Sequence, residues 1–298
     1  MNAKPPASTV AVIANTEKID KKNARVLRAS LAAAGVEDVC WLPIAKGSEA
    51  KKAAAKALKR GAQTIVVCGG DGTVRSAAEA MVNTSAALAV VPSGTANLFA
   101  TGLQLPTDIQ DIVDLIVSGD RRSIDTAWCN GQTFNVMAGI GFDVGMLAQA
   151  EDDKTRLGTL AYLRAGVDQI RHLKLFDAKV AIDDVVFYEG EASCVLIGKL
   201  GSLKGGLKAF PEATPTDGLL HVAVVTAAGM REWAGLMVSS VFRRQESSNH
   251  AEMGSGTSVT VTFDRKRRFE LDGGVKGKAK KLKFEVNPRS LILCATSS

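Results

Sequence analysis

Residues 64–73, TIVVCGGDGT, constrain this chain more than any other stretch. Ile65, Val66, Val67 and Cys68 form an uninterrupted run of β-branched or small apolar side chains, as a parallel strand buried on both faces requires. The run ends in Gly69, Gly70, Asp71, Gly72 and Thr73. Beyond it Val74, Ala77, Ala78, Met81 and Val82 recur at i, i+3, i+4, i+7 and i+8, the stripe of a helix packed on a sheet. The spacing predicts a glycine-rich turn between strand and helix, with Thr73 at the helix N-cap. Backbone N–H groups converge at such a turn, and the helix dipole favours negative charge there, so a phosphate is the natural occupant. Glycines also serve ordinary tight turns, because they tolerate φ > 0. Asp71 tips the balance toward function, since a carboxylate inside an anion nest is unfavourable unless a metal or a proton relay needs it. The P-loop pattern is absent, and GIGFDVG at 139–145 misses the dinucleotide fingerprint by one residue.

Strands and helices alternate on either side of this turn. Thr9–Ala14 reads as a buried strand ending at Asn15, a position where ligands of α/β sheets gather. A helix over Lys21–Ala34 closes at Gly35, a short strand covers Val39–Leu42, and an Ala- and Lys-rich helix covers Glu49–Lys59. Leu88–Val91 is another buried strand and runs into Pro92, Ser93, Gly94, Thr95, Ala96 and Asn97. In an open parallel sheet, two polar turns that follow strand carboxyl ends lie along one edge and can face one ligand. Pro92 and Gly94 are equally compatible with a plain turn. An amphipathic helix follows over Asp108–Ser118. The pattern implies a parallel sheet with helices on both faces.

Near Ser123 the grammar changes. Apolar and polar residues alternate, and turn signals multiply at Asn130-Gly131, Asp183-Asp184 and Thr216-Asp217-Gly218. Strands are expected over Thr133–Gly139, Lys179–Phe187, Ala192–Gly198, Leu219–Val225, Ser258–Phe263 and Lys281–Val286. Helices are expected at about Thr155–His172 and Met230–Phe242. Leu157, Leu160, Tyr162 and Leu163 on the first of these suit a lipid cleft and plain core equally. The division expected is residues 1–123 as a parallel α/β domain and 124–287 as an antiparallel β domain, with a strand within 288–298 returning to the first.

Composition narrows the function classes. With 298 residues, 46% hydrophobic and 23% charged, the chain folds, and its length allows two domains. No apolar run approaches the roughly 18 residues of a membrane span, and Met1–Ser8 lacks a signal's apolar centre, so a cytoplasmic protein is expected. Five scattered cysteines read as reduced core residues, and His172, His221 and His250 as surface or loop residues, which gives little support to zinc or triad chemistry. A net charge of +6 and a pI near 9.1 allow nucleic acid, an anionic membrane or a polyphosphate as partner. Two tyrosines and three tryptophans provide no evident stacking platform for single strands, which argues against nucleic acid. The basic clusters at Arg265–Arg268 and Lys276–Lys283 are ordinary solvated faces taken singly, and together would draw the protein to anionic phospholipid.

Taken in order, CGGDGT (68–73), PSGTANLFA (92–100), Ile124-Asp125, FNVMAGIGFD (134–143), the spacing of Lys154, Gly158 and Tyr162, GGLKAFPEATPTDGLL (205–220) and ELDGG (270–274) resemble the diacylglycerol kinase catalytic-domain family, its soluble bacterial lipid kinases above all. Sphingosine and ceramide kinases are more distant members. The resemblance spans nearly the whole chain. It implies a nucleotide-binding α/β domain like those of phosphofructokinases and nicotinamide dinucleotide kinases, followed by a β-sandwich domain that takes the lipid. It implies ATP and Mg²⁺ as cofactors, and transfer of the γ-phosphate to a lipid hydroxyl, first of all that of diacylglycerol. Gly69, Gly70, Asp71, Gly72 and Thr73 would hold the ATP phosphates, with Gly94, Thr95 and Asn97 as a second wall and Asn15 nearby. Asp71 and Asp125 would belong to the catalytic metal network, and Asp272 would be the general base on the acceptor hydroxyl. Asp217, with the carbonyls of Thr214 and Leu219, would hold a separate structural Mg²⁺. Peripheral membrane association is implied, and a homodimer is left open. Three departures stand out: Leu98 where the family often has Asp, Gly274 where it has Glu, and Lys199 where asparagine is common. Leu98 and Gly274 motivate the alternative of a catalytically impaired lipid or nucleotide sensor, beside a kinase for another lipid or for a dinucleotide.

Overall fold

The structure is a computed structural model and describes residues 9–141, 175–201, 209–229, 232 and 250–296. The chain divides into two compact units, residues 1–126 with 288–298, and residues 127–287. The helices expected over Thr155–His172 and Met230–Phe242 lie outside the described residues but for Glu232, as do Asp143 and the motif residues 202–208.

In the first unit strand and helix alternate: β1 (Val10–Asn15), α1 (Lys21–Ala33), β2 (Val39–Ile44), α2 (Ala50–Lys59), β3 (Thr64–Gly69), α3 (Asp71–Met81), β4 (Ala87–Pro92), α4 (Leu98–Gly102) and α5 (Ile109–Ser118). The sheet order is β2-β1-β3-β4, all parallel, and Ile292 and Leu293 of the last strand add beside Ala87 and Leu88 of β4. Strands β1 and β3 are buried throughout because both faces are covered. Leu27, Leu31, Ile112, Val113 and Ile116 of α1 and α5 pack on one face against Val10, Val12, Val66 and Cys68. Buried alanines of α2 and α3 cover the other.

Helix α3 begins two residues before the expected cap. Gly70 is the N-cap in extended backbone, with no side-chain cap bond, and Thr73 is the third helical residue. Thr73 therefore lies inside the first turn rather than at the cap, and its hydroxyl accepts from Asn15 Nδ2. Helices α1 and α5 are capped conventionally by Asp20 and Asp108, whose carboxylates accept the N–H groups of Asn23 and Gln110.

Strand β5 (Arg121–Cys129) leads into the second unit, which holds β6 (Gln132–Phe134), β7 (Met137–Ile140), β8 (Phe176–Ile182), β9 (Val185–Ala192), β10 (Cys194–Gly198), β11 (Leu220–Val225), β12 (Ala251–Gly256), β13 (Ser258–Leu271) and most of β14 (Gly274–Cys294). The order is β12-β11-β10-β7-β13-β14, antiparallel, and β8 pairs with the first half of β13 and with β9. An irregularity in register between Thr262 and Arg267 lets the two halves of β13 pair with different neighbours, the origin of a sandwich-like core. Phe134 and Phe284, and Phe176 and Phe263, meet there edge to face at 6.0 and 5.8 Å.

Several expected strands are redrawn. Thr133–Gly139 is interrupted at Asn135 and Val136, whose N–H groups are drawn to a carboxylate rather than to a ladder. Lys179–Phe187 is a hairpin, turning at Asp183 and Asp184 with φ of 48° and 65°. The segments 281–286 and 290–294 belong to one strand, β14, in which chain continuity outweighs the breaker Pro288. Four of the five free cysteines are buried and Cys40 is partly so. Among the described residues no helix is long and apolar enough to cross a membrane.

Candidate functional site

The carboxyl ends of β1, β3 and β4 bring Asn15, Gly69–Thr73 and Ser93–Asn97 to one edge of the first sheet. Asn15 Nδ2 donates to Thr73 Oγ1 at 3.0 Å, with both side chains buried. A Cβ on Gly69 would lie 2.6 Å from the Thr73 Cβ, so glycine is what lets the strand end sit on the helix head. The two turns then touch through glycine. A Cβ on Gly94 would lie 2.4 Å from Gly70 Cα, and Ser93 N–H donates to Gly69 O at 3.0 Å. Asn97 is left-handed, with φ of 48°, and its amide closes the second turn: Oδ1 accepts from Gly94 N–H and Nδ2 donates to Gly94 O, both at 2.9 Å. Its side chain therefore shapes the turn. Thr95 is exposed in that turn, Gly72 is exposed at the head of α3, and Leu98 is buried at the start of α4.

Asp71 Oδ1 accepts the N–H of Phe99 at 3.0 Å and so links α3 to α4. Burial pushes its carboxyl above the ordinary 3.8, against the opposing pull of backbone N–H groups at 97–99. Asp125 is buried in β5, and its Oδ1 accepts the N–H of Arg289 at 2.8 Å. Thr126 and Ser290, each next along the chain, bond through their hydroxyls at 2.8 Å. Sequence reasoning missed Gly47, in the 3₁₀ turn after β2, where a Cβ would lie 2.9 Å from Thr73 Oγ1. That turn backs the Thr73 hydroxyl, and no motif marked it.

In the second unit Asp272 occupies the β13–β14 turn, with φ of 48° followed by 72° at Gly273. Its side chain turns inward and accepts three backbone N–H groups: Asn135 on Oδ2 at 2.9 Å, Val136 and Met137 on Oδ1 at 2.8 and 3.1 Å. Its own N–H donates to Met137 O at 2.8 Å. Such a nest fixes the carboxylate in one orientation. Beside it Asn135, 1% exposed, has neither amide atom hydrogen-bonded. A buried amide left so is a costly feature that calls for a reason. Its only sequence signal was membership of FNVMAGIGFD. Around Gly274 there is room: the nearest atoms to an added Cβ are Leu271 O at 3.5 Å and Lys276 Nζ at 3.7 Å.

The Asp217 loop departs from the expected metal site. Lys199 Nζ lies 2.6 Å from Asp217 Oδ1 and 3.2 Å from Thr214 O. Leu219 contributes its N–H, also to Oδ1, at 2.9 Å. Thr214 N–H and His221 Nε2 meet Oδ2 at 2.8 and 3.0 Å. His221, expected in a loop, is thus a half-buried residue of β11 paired with a carboxylate. Desolvation works to raise the Asp217 carboxyl, but Lys199, Thr214, His221 and Leu219 together bring it down to about 2. The donors around this carboxylate leave no place for Mg²⁺, so the expected ion does not fit.

Comparison with known proteins follows the same division. The family model of the diacylglycerol kinase catalytic domain matches residues 9–129, and that of the YegS C-terminal NAD kinase β-sandwich-like domain matches residues 136–295. A diacylglycerol kinase of Staphylococcus saprophyticus is 29% identical over 243 residues, covering 78% of this chain and 77% of its own. A protein of Cronobacter sakazakii named "Probable lipid kinase YegS-like" is 30% identical over 231 residues, 76% of each chain. An uncharacterised Synechocystis protein is 31% identical over 237 residues and 78% of this chain, which spans about half (54%) of that protein's length. Among solved structures, a diacylglycerol kinase from Bacillus anthracis superposes with a TM-score of 0.75 over 97% of both chains at 22% identity, a likeness of fold. An NAD kinase from Archaeoglobus fulgidus, solved with ATP, does so at 0.56 over 97% of this chain and 94% of its own, at 13% identity.

Proposed function

The chain belongs to the diacylglycerol kinase catalytic-domain family, and on that premise we propose that it transfers the γ-phosphate of ATP to a lipid hydroxyl, with diacylglycerol as acceptor and phosphatidic acid as product. The observation that carries this reading is the glycine contact between the two turns of the first unit, which merges them into one surface at the head of α3. Phosphoryl transfer depends on positioning and charge neutralisation rather than on covalent chemistry with the protein. In this reading the Gly69–Thr73 turn and the helix dipole hold phosphate oxygens, and the second turn, through Gly94 and Thr95, closes over them.

Asp71 and Asp125 would supply the hard oxygen ligands that suit Mg²⁺, an ion bound by one or two carboxylates together with substrate phosphates. Burial already penalises the charge of Asp71, so a cation there would relieve it. Bound with the nucleotide, the ion would neutralise charge building on the phosphates. Asp272 orients the acceptor hydroxyl and takes its hydrogen, with the unpartnered Asn135 amide as a second polar contact for that hydroxyl.

Charge supports a membrane-surface acceptor. Arg265, Lys266, Arg268, Lys278, Lys280 and Lys281 are exposed on β13 and β14, and Arg268 lies directly opposite Lys278. Like charges so paired repel, and an anionic surface relieves them, at about 1 kcal/mol for each basic residue near it. The protein would then act peripherally, from the cytoplasmic side. The test is incubation with labelled ATP, Mg²⁺ and mixed micelles of diacylglycerol, monoacylglycerol, ceramide or sphingosine. A labelled phospholipid is expected, strongest with diacylglycerol. Label on a soluble dinucleotide without detergent, or intact ATP binding with transfer to no lipid, refutes the proposal.

A further inference from the structure

We propose that the Lys199 ammonium is the resident cation of the Asp217 loop, so that the second unit holds this loop, and Val136 beside Asp272, without a divalent metal.

Four donors meet one carboxylate. Oδ1 receives Lys199 Nζ and the Leu219 N–H, and Oδ2 receives the Thr214 N–H and His221 Nε2. A carboxylate offers about four lone-pair sites, and these are filled. Mg²⁺ demands near-octahedral oxygens at roughly 2.0–2.1 Å and keeps several waters. It cannot share Oδ1 with an ammonium 2.6 Å away, which would also repel it. Of the oxygens expected to ligate the ion, those of Asp217 and Thr214 face the ammonium.

Lys199 is fully buried, at 0% exposure. An ammonium in such a place is tolerated only when paired and hydrogen-bonded, so its position is dictated by Asp217 and the Thr214 carbonyl. The residue comes one position after β10, where its backbone N–H donates to Val136 O at 2.9 Å. Val136 in turn donates its N–H to Asp272 Oδ1 at 2.8 Å. One residue, Val136, thus connects the backbone of Lys199 to the carboxylate that orients the acceptor, and Lys199 is a positioning residue for Asp272. This last step rests on the kinase reading; the replacement of the metal does not.

The experiment is thermal unfolding of the full chain without nucleotide, in EDTA and in millimolar magnesium chloride. The wild type is expected to melt alike in both. Lys199→Asn removes the ammonium and frees Oδ1, so it should melt several degrees lower in EDTA and recover part of the loss in magnesium. The recovery should vanish when Asp217→Asn is added. Asp217→Asn alone strands the buried ammonium and should be strongly destabilised in either solution. A wild-type gain in magnesium as large as the variant's, a Lys199→Asn variant that magnesium does not shift, or an Asp217→Asn protein as stable as wild type each overturns the proposal. None of these readouts needs turnover, so they stay separate from the lipid assay. Where turnover is measured, Lys199→Asn should lower kcat about tenfold or more by misplacing Asp272, with the KM for ATP unchanged; a change confined to KM overturns the positioning role.

Discussion

Adding one methyl group at Gly94 tests whether the two turns form a single phosphate site. In Gly94→Ala the new Cβ falls 2.4 Å from Gly70 Cα, 3.0 Å from Asn97 Oδ1 and 3.3 Å from Gly70 N. Carbon atoms rest at about 3.5–4.0 Å, so the turns must part by about 1 Å. Two of the three obstacles are backbone, which cannot swing aside, and overpacking of this kind costs about 1–3 kcal/mol. Borne by the conformation that receives the phosphates, the same cost weakens ATP roughly 5- to 150-fold. Gly72→Ala is the control. Nothing lies within 4 Å of its Cβ, its φ is not left-handed, and it sits in the first turn of α3, where alanine is the better helix former by about 0.5–1 kcal/mol. Its stability should hold or rise, while the methyl stands where a phosphate approaches. Calorimetric titration with ATP and thermal unfolding of both variants separate the effects: Gly94→Ala should lose affinity and stability, Gly72→Ala affinity alone. Wild-type affinity in Gly94→Ala would falsify the single-site geometry, and the same result in Gly72→Ala would remove the head of α3 from it.

Asn135→Ala should change stability by less than about 1 kcal/mol, because the lost amide has no partner to strand, yet lower kcat/KM for the lipid; matched losses in an unfolding curve and a kinetic assay would mark Asn135 as merely structural. Gly274→Glu enters open space near Lys276, so it should fold normally and shift turnover by no more than about tenfold; activity arising from nothing would mean the native protein is catalytically impaired. Stability against pH should show two opposite carboxyls. Asp71, raised above 3.8 by burial, binds its proton more readily when folded and costs stability as pH climbs from 3.8 through its folded value, so Asp71→Asn should melt higher at neutral pH with no gain below 3.8. Asp217, held down to about 2, contributes stability above 3.8 that is lost as pH falls toward 2, and Asp217→Asn should flatten that limb of the melting profile.

The parallel half was legible because its signals are local. A buried strand such as Ile65–Cys68 needs an unbroken apolar run, and α5 shows its stripe plainly. The extent of α3 was not, since a glycine N-cap leaves no side-chain signal and the Thr73 hydroxyl is engaged by Asn15, far away in sequence. In the second unit, hairpin turns were readable from Asn130-Gly131 and Asp183-Asp184, which adopt the left-handed backbone these pairs favour. The length of β13 and β14 was hidden by basic side chains, which on an exposed ribbon look like loop composition. Of the candidate site, glycine and aspartate positions followed from the motifs, whereas the Gly70–Gly94 approach, the nest around Asp272 and the seat of Lys199 all depend on partners distant in sequence.

Strand β14 has a consequence for how the protein is made. Its end supplies the strand beside β4, through pairs such as Ile292 with Ala87 that lie roughly two hundred residues apart. Arg289, at the same end, satisfies Asp125. While the chain is still on the ribosome, the half that carries the glycine turns is therefore short of the strand beside β4 and of the Arg289 N–H that bonds a buried carboxylate. The part of the sequence synthesised first is among the last to be finished, and an interrupted translation product would expose the open side of β4 as a template for other chains.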